Sequence, residues 1–321
     1  MIKRVIVRGP ALTQSGYGEH TRFLLRSLRK QPEKFDIYLV ALNWGQTGWL
    51  SDDTEERRWL DSLIMRTHQY VQSGGQFDIS VQVSIPNEWE RLAPYNVGVT
   101  AGIETTKVAP VWLEKANLMD KVITISEHSK QVLESTVYQG MHKDTRQPMT
   151  LECQVPVEIA HYPVKGVESA ELDFDLEYDF NYLFVSQWGP RKNIENTIKW
   201  FVEENIDQEV GLVKSYKPEG AKCKVYLLHG DLSEAQMQSL YCHDRVKALI
   251  NLSHGEGFGL PMFDAACHGL PVIAPGWSGH CDFLYAPQKN GKKKGLFADV
   301  NYDIAPVQDF AVWEGVIQKD S

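Results

Sequence analysis

The stretch SHGEGFGLPMFDAACHGLPVIAPGWSGHCDFL, residues 253 to 284, gathers residue types suited to a charged, hydroxyl-rich ligand. The apolar run ALINLS leads into a Gly-rich turn and then a helix with Pro261 suited to its first turn. Unpaired backbone N–H groups and the positive helix end therefore face the turn, which makes an anion site. Gly255, Gly257 and Gly259 let the main chain approach a ligand closely, and the Glu256 carboxylate can accept two hydroxyl hydrogen bonds. Asp264, in the next turn, stands near enough to grip a second set of hydroxyls. A pyrophosphate flanked by two sugars needs this arrangement: carboxylates for the diols and N–H groups between them. Upstream, in SQWGPRKN, Arg191 and Lys192 open another helix. A basic pair is unfavourable at the positive end of a helix unless an anion is nearby.

These residues need rigid elements behind them, and the chain alternates short apolar runs with amphipathic stretches, the pattern of βαβ units and parallel sheets. The first unit is strand Val5 to Val7, the loop GPALTQSGYG, then a helix with Phe23, Leu24 and Leu28 at helical spacing. Further strands are expected at Ile37 to Leu42, Ile79 to Val83, Val97 to Ala101, Val122 to Ile125 and in VEIAHYP, with a helix from Glu127. The acidic, weakly periodic stretch 166–180 separates these from a new apolar run, NYLFVS, and reads as a linker between an N-terminal domain, 1–165, and a C-terminal domain, 181–321. The second half restarts the alternation: strand Tyr182 to Ser186, a helix with Ile194, Ile198, Phe201 and Val202 on one face, strand KVYLLHG, and a helix opened by a Ser233/Gln236 capping box. Strands ALINLS and PVIAP follow. Two stretches fit badly. Only about ten mostly polar residues separate the strand near Val210 to Val213 from that at Val225, where a parallel crossover needs a dozen or more. Either the crossover is abbreviated or a mobile segment near 213–222 is missing. VWEGVIQKDS reads as the beginning of a helix that is cut off.

At 321 residues, two α/β domains are the natural expectation. Hydrophobic residues make up 43% and charged residues 23%, and no run approaches the ~18 apolar residues of a membrane span. MIKRVIVRGP has too short an apolar run for a secretory leader and reads as a first strand, so the expected location is the cytoplasm. The five cysteines are scattered, with no C-x-x-C pair, which argues against a disulfide framework and a zinc cluster. A net charge of -9 provides no global basic field for nucleic acid; Lys292, Lys293 and Lys294 read as a solvated loop.

The 253–284 stretch resembles family-four glycosyltransferases, which carry a glutamate, seven residues and a second glutamate in an EGFGLP-type segment followed by a G-x-PVI strand. Here the segment reads Glu256, Gly257, Phe258, Gly259, Leu260, Pro261, then Asp264, then Gly269-Leu270-Pro271-Val272-Ile273. The resemblance implies that Glu256 holds the donor sugar and Asp264, one methylene shorter than the family's residue, the nucleotide ribose. SQWGPRKN resembles the family's phosphate loop, which assigns Ser186 and Gly189 to the donor site and Arg191 and Lys192 to the diphosphate. HGDLS, with Gly230 and Asp231, resembles the loop bordering the base. In the first half, GPALTQSGYGEH resembles the Gly-rich loop facing the diphosphate, with Gly16, Tyr17 and Gly18 as candidates. AGIETTKVAPVWLEKANLMDKVITIS resembles an acceptor-side segment in which Glu104 and Ser126 line the cleft, while Trp112 packs in the core. The implied fold is GT-B, two Rossmann-like domains facing a cleft. The implied reaction moves a sugar from a nucleoside-diphosphate sugar to a hydroxyl acceptor with retention, the leaving phosphate oxygen taking the acceptor proton. On this reading an alanine at Glu256 abolishes transfer and leaves the fold intact.

Asp173 and Asp175 form a D-x-D, which binds a metal in the other large glycosyltransferase fold, but no strand leads into it and it reads as solvated charge. The histidines show no H-E-x-x-H spacing, so no metal or other cofactor is expected. No G-x-S-x-G occurs; GWSGH has the wrong glycine spacing for a nucleophile elbow. Three rivals remain: a sugar-nucleotide epimerase, lacking an identifiable acid/base set; a non-catalytic nucleotide-sugar-binding protein; and a viral glycosyltransferase acting on a hydroxymethylated DNA base in the host cytoplasm, against which the acidic charge speaks.

Overall fold

The computed structural model describes residues 2–45, 47–141, 146–166, 170, 174–213, 220–228, 230 and 232–321. They divide into two compact units, the first running to Pro163 and taking in Pro306–Ser321, the second Val164–Ala305.

In the first unit the chain runs β1 (Lys3–Gly9), α1 (Gly16–Arg29), β2 (Phe35–Ala41), α2 (Glu55–Gln72), β3 (Ile79–Val83), β4 (Tyr95–Val99), α3 (Pro110–Ala116), β5 (Lys121–Thr124), α4 (Glu127–Ser135), an antiparallel hairpin of β6 (Tyr138–Met141) and β7 (Pro148–Leu151), and β8 (Val157–Ile159). Six strands form a parallel sheet in the order β2-β1-β3-β4-β5-β8. Leu25 of α1 and Leu60 and Leu63 of α2 pack with Val5, Val7, Leu39, Val81 and Val83 in one core. Trp89, Trp112, Leu113, Val122 and Leu133 make a second. The helix spacing read in the sequence thus places α1 on the sheet, and Ser15 caps it by accepting from the Gly18 N–H at 2.9 Å.

The second unit runs β9 (Asn181–Leu183), α5 (Ile194–Asn205), β10 (Gly211–Val213), β11 (Lys224–Tyr226), α6 (Glu234–Cys242), β12 (Val246–Ile250), α7 (Leu260–Cys267), β13 (Val272–Pro275), α8 (Cys281–Leu284), the hairpin β14 (Tyr285–Pro287) and β15 (Lys293–Gly295), and β16 (Ala298–Val300). Its parallel sheet has the order β11-β10-β9-β12-β13-β16, which in order of appearance is 3-2-1-4-5-6. Both faces are covered, as parallel sheets require. Leu183, Val213 and Leu249 belong to one core, whereas their chain neighbours Phe184, Leu212 and Ile250 belong to the other. The α6 capping box forms as its sequence predicts. No helix among the described residues is long and apolar enough to cross a membrane.

Three expectations need correction. The stretch expected as a linker, 166–180, contributes Phe174 and Leu176 to the second unit's core, because two apolar residues at strand spacing sit among its acids. Pro306–Ser321 belongs to the first unit, not to a C-terminal domain beginning at 181. Within it, VWEGVIQKDS is not a helix: Trp313 and Ile317 pair across a tight turn closed by Gly315 at φ 72°. The Gly315 carbonyl accepts from Trp112 Nε1 at 3.1 Å and Asn87 Nδ2 at 3.0 Å, and Lys107 meets Asp320 at 2.8 Å. Strands β10 and β11 are parallel neighbours; of the crossover between them, where a missing segment near 213–222 was expected, residues 214–219 lie outside the described residues.

Candidate active site

The strand order of the second unit reverses between β9 and β12, which are hydrogen-bonded neighbours. In open α/β sheets the crevice beyond the carboxyl ends of two such strands is where ligands bind. The turns leaving these strands carry the predicted groups. After β9 the chain passes Ser186 and Gly189, makes a 3-10 turn over Pro190–Lys192, and enters α5 through Asn193 at φ 52°. After β12 it passes Asn251 to Gly259 and enters α7 through Gly259, whose φ of 89° favours glycine.

The two turns are tied together. The Arg191 carbonyl accepts from the His254 N–H at 2.9 Å, and Asn193 Nδ2 donates to the Leu252 carbonyl at 3.0 Å. Arg191 Nη1 donates to the Gly255 carbonyl at 2.7 Å and reaches Glu256 Oε2 at 3.2 Å. Lys192 Nζ donates to Glu256 Oε1 at 2.5 Å, and Ser253 Oγ donates to the same oxygen at 2.9 Å. Glu256 is only 5% exposed. Burial pushes its carboxyl up, but the charges of Lys192 and Arg191, with hydrogen bonds from Lys192 and Ser253, outweigh burial and hold it at about 2. Glu256, Arg191 and Lys192 therefore stand together as a carboxylate clamped between two cations. This corrects the picture of Glu256 as a group in an open cleft whose removal leaves the fold untouched. Taking it away would leave two partly buried cations facing each other.

A third segment completes the turn. After β13, Ser278 Oγ accepts from the Glu256 N–H at 3.1 Å and the Gly279 N–H donates to the Glu256 carbonyl at 2.9 Å. Gly279 has no room for a side chain: a Cβ there would stand 1.9 Å from the Gly257 carbonyl oxygen. These residues lie in GWSGH, and their link to Glu256 is absent from any local spacing pattern.

The remaining donor-side candidates divide by what their side chains do. Gly257 is buried under Gly279, so only its main chain is offered. The Phe258 ring is committed to a cluster with Phe263 and Phe283, at centroid distances of 5.2 and 5.0 Å, so any donor contact it makes falls to the main chain. Leu260 and Asp264 are half-buried in α7. Gly230 is exposed at φ 133°; Asp231 lies outside the described residues. Asp173 also lies outside them, and the exposed Asp175 is 3.7 Å from Arg245. No group of three or more His, Cys, Asp or Glu among the described residues is placed to hold a metal ion.

In the first unit, Gly16 is exposed at the start of α1, and Gly18 is pressed against the Thr13 carbonyl, 2.1 Å from where its Cβ would lie. The Tyr17 hydroxyl accepts from the Ala101 N–H at 3.1 Å and shares a hydrogen with Thr100 Oγ1 at 2.9 Å, and its ring lies 4.5 Å from Trp44. Burial raises the Tyr17 phenol far above its usual range, so it stays protonated. Glu104 is half-buried just beyond β4. Ser126 is fully buried, and its hydroxyl caps α4 by accepting from the Ser129 N–H at 3.1 Å.

No protein-family model matches the chain, and no curated protein matches it in sequence. Solved structures do. Sucrose-phosphate synthase from Thermosynechococcus elongatus is 12% identical, with a TM-score of 0.58 over 89% of this chain and 84% of that one. The catalytic domain of starch synthase IV from Arabidopsis thaliana, bound to ADP and acarbose, is 10% identical, with a TM-score of 0.53 over 89% of this chain and 85% of that one. At such identities the likeness is one of fold, and the chain, with its two six-stranded parallel sheets, has the α/β fold of the GT-B glycosyltransferases.

Proposed function

We propose that this chain is a retaining glycosyltransferase that moves a sugar from a nucleoside-diphosphate sugar to a hydroxyl acceptor. The observation that carries this reading is the Glu256, Lys192 and Arg191 cluster on the two turns that flank the strand-order reversal. In this reading the diphosphate takes over Lys192 and Arg191, and Glu256, released from them, accepts hydroxyl hydrogen bonds from the donor sugar. Main-chain N–H groups at the start of α7 supply further positive potential. Asp264 holds the ribose. The bond from the anomeric carbon to the phosphate oxygen breaks as the acceptor oxygen attacks on the same face, and the acceptor proton passes to that departing phosphate oxygen. Lys192 and Arg191 stabilise the charge developing there, so no metal is required.

Purified protein offered a panel of nucleotide sugars should release one nucleoside diphosphate selectively, and turnover should persist with excess chelator. Selective release that disappears under chelation, and that also disappears in an Asp173→Ala, Asp175→Ala double variant, would assign the chemistry to a metal instead. No release from any donor would leave a binding protein.

A further inference from the structure

The segment after β13 holds backbone in a conformation that its sequence disfavours. Ser278 sits at φ 72°, in the left-handed region, although it is not glycine. It is buried, as are its neighbours Gly279 and His280. Backbone held there persists only where surrounding contacts over-determine it.

Those contacts run in one direction. His280 Nε2 lies 2.7 Å from the Pro275 carbonyl oxygen, which can only accept, so Nε2 carries the ring proton. In the neutral ring Nδ1 is then an acceptor, and it faces Ser278 Oγ at 3.5 Å. The Ser278 hydroxyl therefore donates to His280, which turns an oxygen lone pair toward the Glu256 N–H, 3.1 Å away. From the other side the Gly279 N–H holds the Glu256 carbonyl at 2.9 Å. Burial lowers the His280 pKa and keeps the ring neutral, against the weaker opposing influence of the Pro275 hydrogen bond, Glu256 and Asp299.

We propose that Ser278, its hydroxyl oriented by His280, is a positioning residue that fixes the backbone of Glu256 so that the carboxylate meets Lys192, Arg191 and the donor sugar. The use of this device rests on the glycosyl-transfer reading; its existence does not. A glycine at 278 would suit the local φ better, but would drop the hydroxyl.

Two variants separate the roles. Ser278→Gly removes the hydroxyl and relaxes the backbone, whereas Ser278→Ala removes the hydroxyl and keeps the strain. Both should let the Glu256 amide exchange with solvent roughly tenfold faster or more. Both should lower kcat with the selected nucleotide sugar by up to about 10²-fold, with little change in the donor KM. Their thermal midpoints should differ, Ser278→Gly standing above Ser278→Ala. Unchanged exchange at Glu256 in Ser278→Gly overturns the proposal, whatever happens to kcat, because Ser278 would then act by some other contact. Faster exchange with wild-type kcat overturns it too, reducing Ser278 to a structural role. If the wild-type chain turns over no nucleotide sugar, the exchange measurement still reads the device and the failure belongs to the function.

Discussion

Glu256 carries a conflict that the rest of its site resolves. Taken from water it would resist ionisation; beside Lys192 and Arg191 it ionises more readily than a free carboxylate. The same pairing occupies the two cations that, on the proposed reading, a diphosphate would take over. Glu256→Gln should therefore bind the nucleoside diphosphate more tightly than wild type, by about threefold to tenfold, while losing transfer by about 10²-fold or more. Isothermal calorimetry beside a turnover assay checks this, and weaker diphosphate binding by the variant would show that Glu256 does not compete for the cations. The linkage has a definite sign. Folded Glu256 titrates near 2, below its usual 4.5, so its stabilisation is full above pH 4.5 and is lost as pH falls through the folded value. The stability gap between wild type and Glu256→Gln, measured by urea unfolding, should shrink as pH is lowered from 4.5 toward 2. A gap that stays constant over that range would mean the ion pair is absent in solution.

At the scale of elements, the turns after strands are built by close main-chain approach, and the glycines in them are not equivalent. Gly18 sits against the Thr13 carbonyl, whereas a Cβ at Gly16 would meet nothing within 4 Å. Gly18→Ala should cost about 2 to 4 kcal/mol through forced displacement of the loop before α1, and Gly16→Ala should change stability by less than about 0.5 kcal/mol. Chemical denaturation of both checks the contrast; equal losses would mean the loop yields. If Gly16→Ala keeps its stability and still loses activity, that glycine is where a ligand comes close. The same elements show what was legible in the sequence. The Glu256 turn could be read because a strand, spaced glycines and a helix start are contiguous, and Arg191 and Lys192 stood out against the helix dipole. Their direct pairing could not be read, because it depends on β9 and β12 being neighbours although residues 184–245 lie between them. Ser278 and His280 escaped for the same reason: GWSGH was tested only as a nucleophile motif, and the hydrogen bond to Glu256 spans the turn, α7 and β13. The cap that Ser126 makes on α4 is not announced by the sequence either, because a serine after a strand suits a helix cap as well as a cleft wall.

At the scale of the whole molecule, the chain's last segment is part of the unit that its first strand begins. Pro306–Ser321 carries no long apolar run, and it is held to the first unit by Val316 packed against the Trp89 and Trp112 core and by directed contacts at great sequence distance, which no periodicity announces. The Gly315 carbonyl receives two side-chain hydrogen bonds, from Trp112 Nε1 and Asn87 Nδ2. Trp112 is 2% exposed and Trp89 fully buried, so this carbonyl caps one of the first unit's two cores. Deleting 306–321 would strip the acceptor from a buried indole N–H and an amide, each loss worth about 1 to 3 kcal/mol where water cannot replace it. The damage should be confined to the first unit. Hydrogen exchange is expected to quicken in peptides covering residues 85–91 and 107–116 and to stay unchanged in those covering α5, α6 and α7. Trp112→Phe, which drops the indole N–H and also leaves a cavity where the buried bicycle is cut to a single ring, should quicken exchange in the same peptides at a cost of about 2 to 3 kcal/mol, with Asn87 still serving the carbonyl. Quickened exchange in α5 to α7 after the deletion would place the segment's stabilising contacts in the second unit and overturn its assignment to the first.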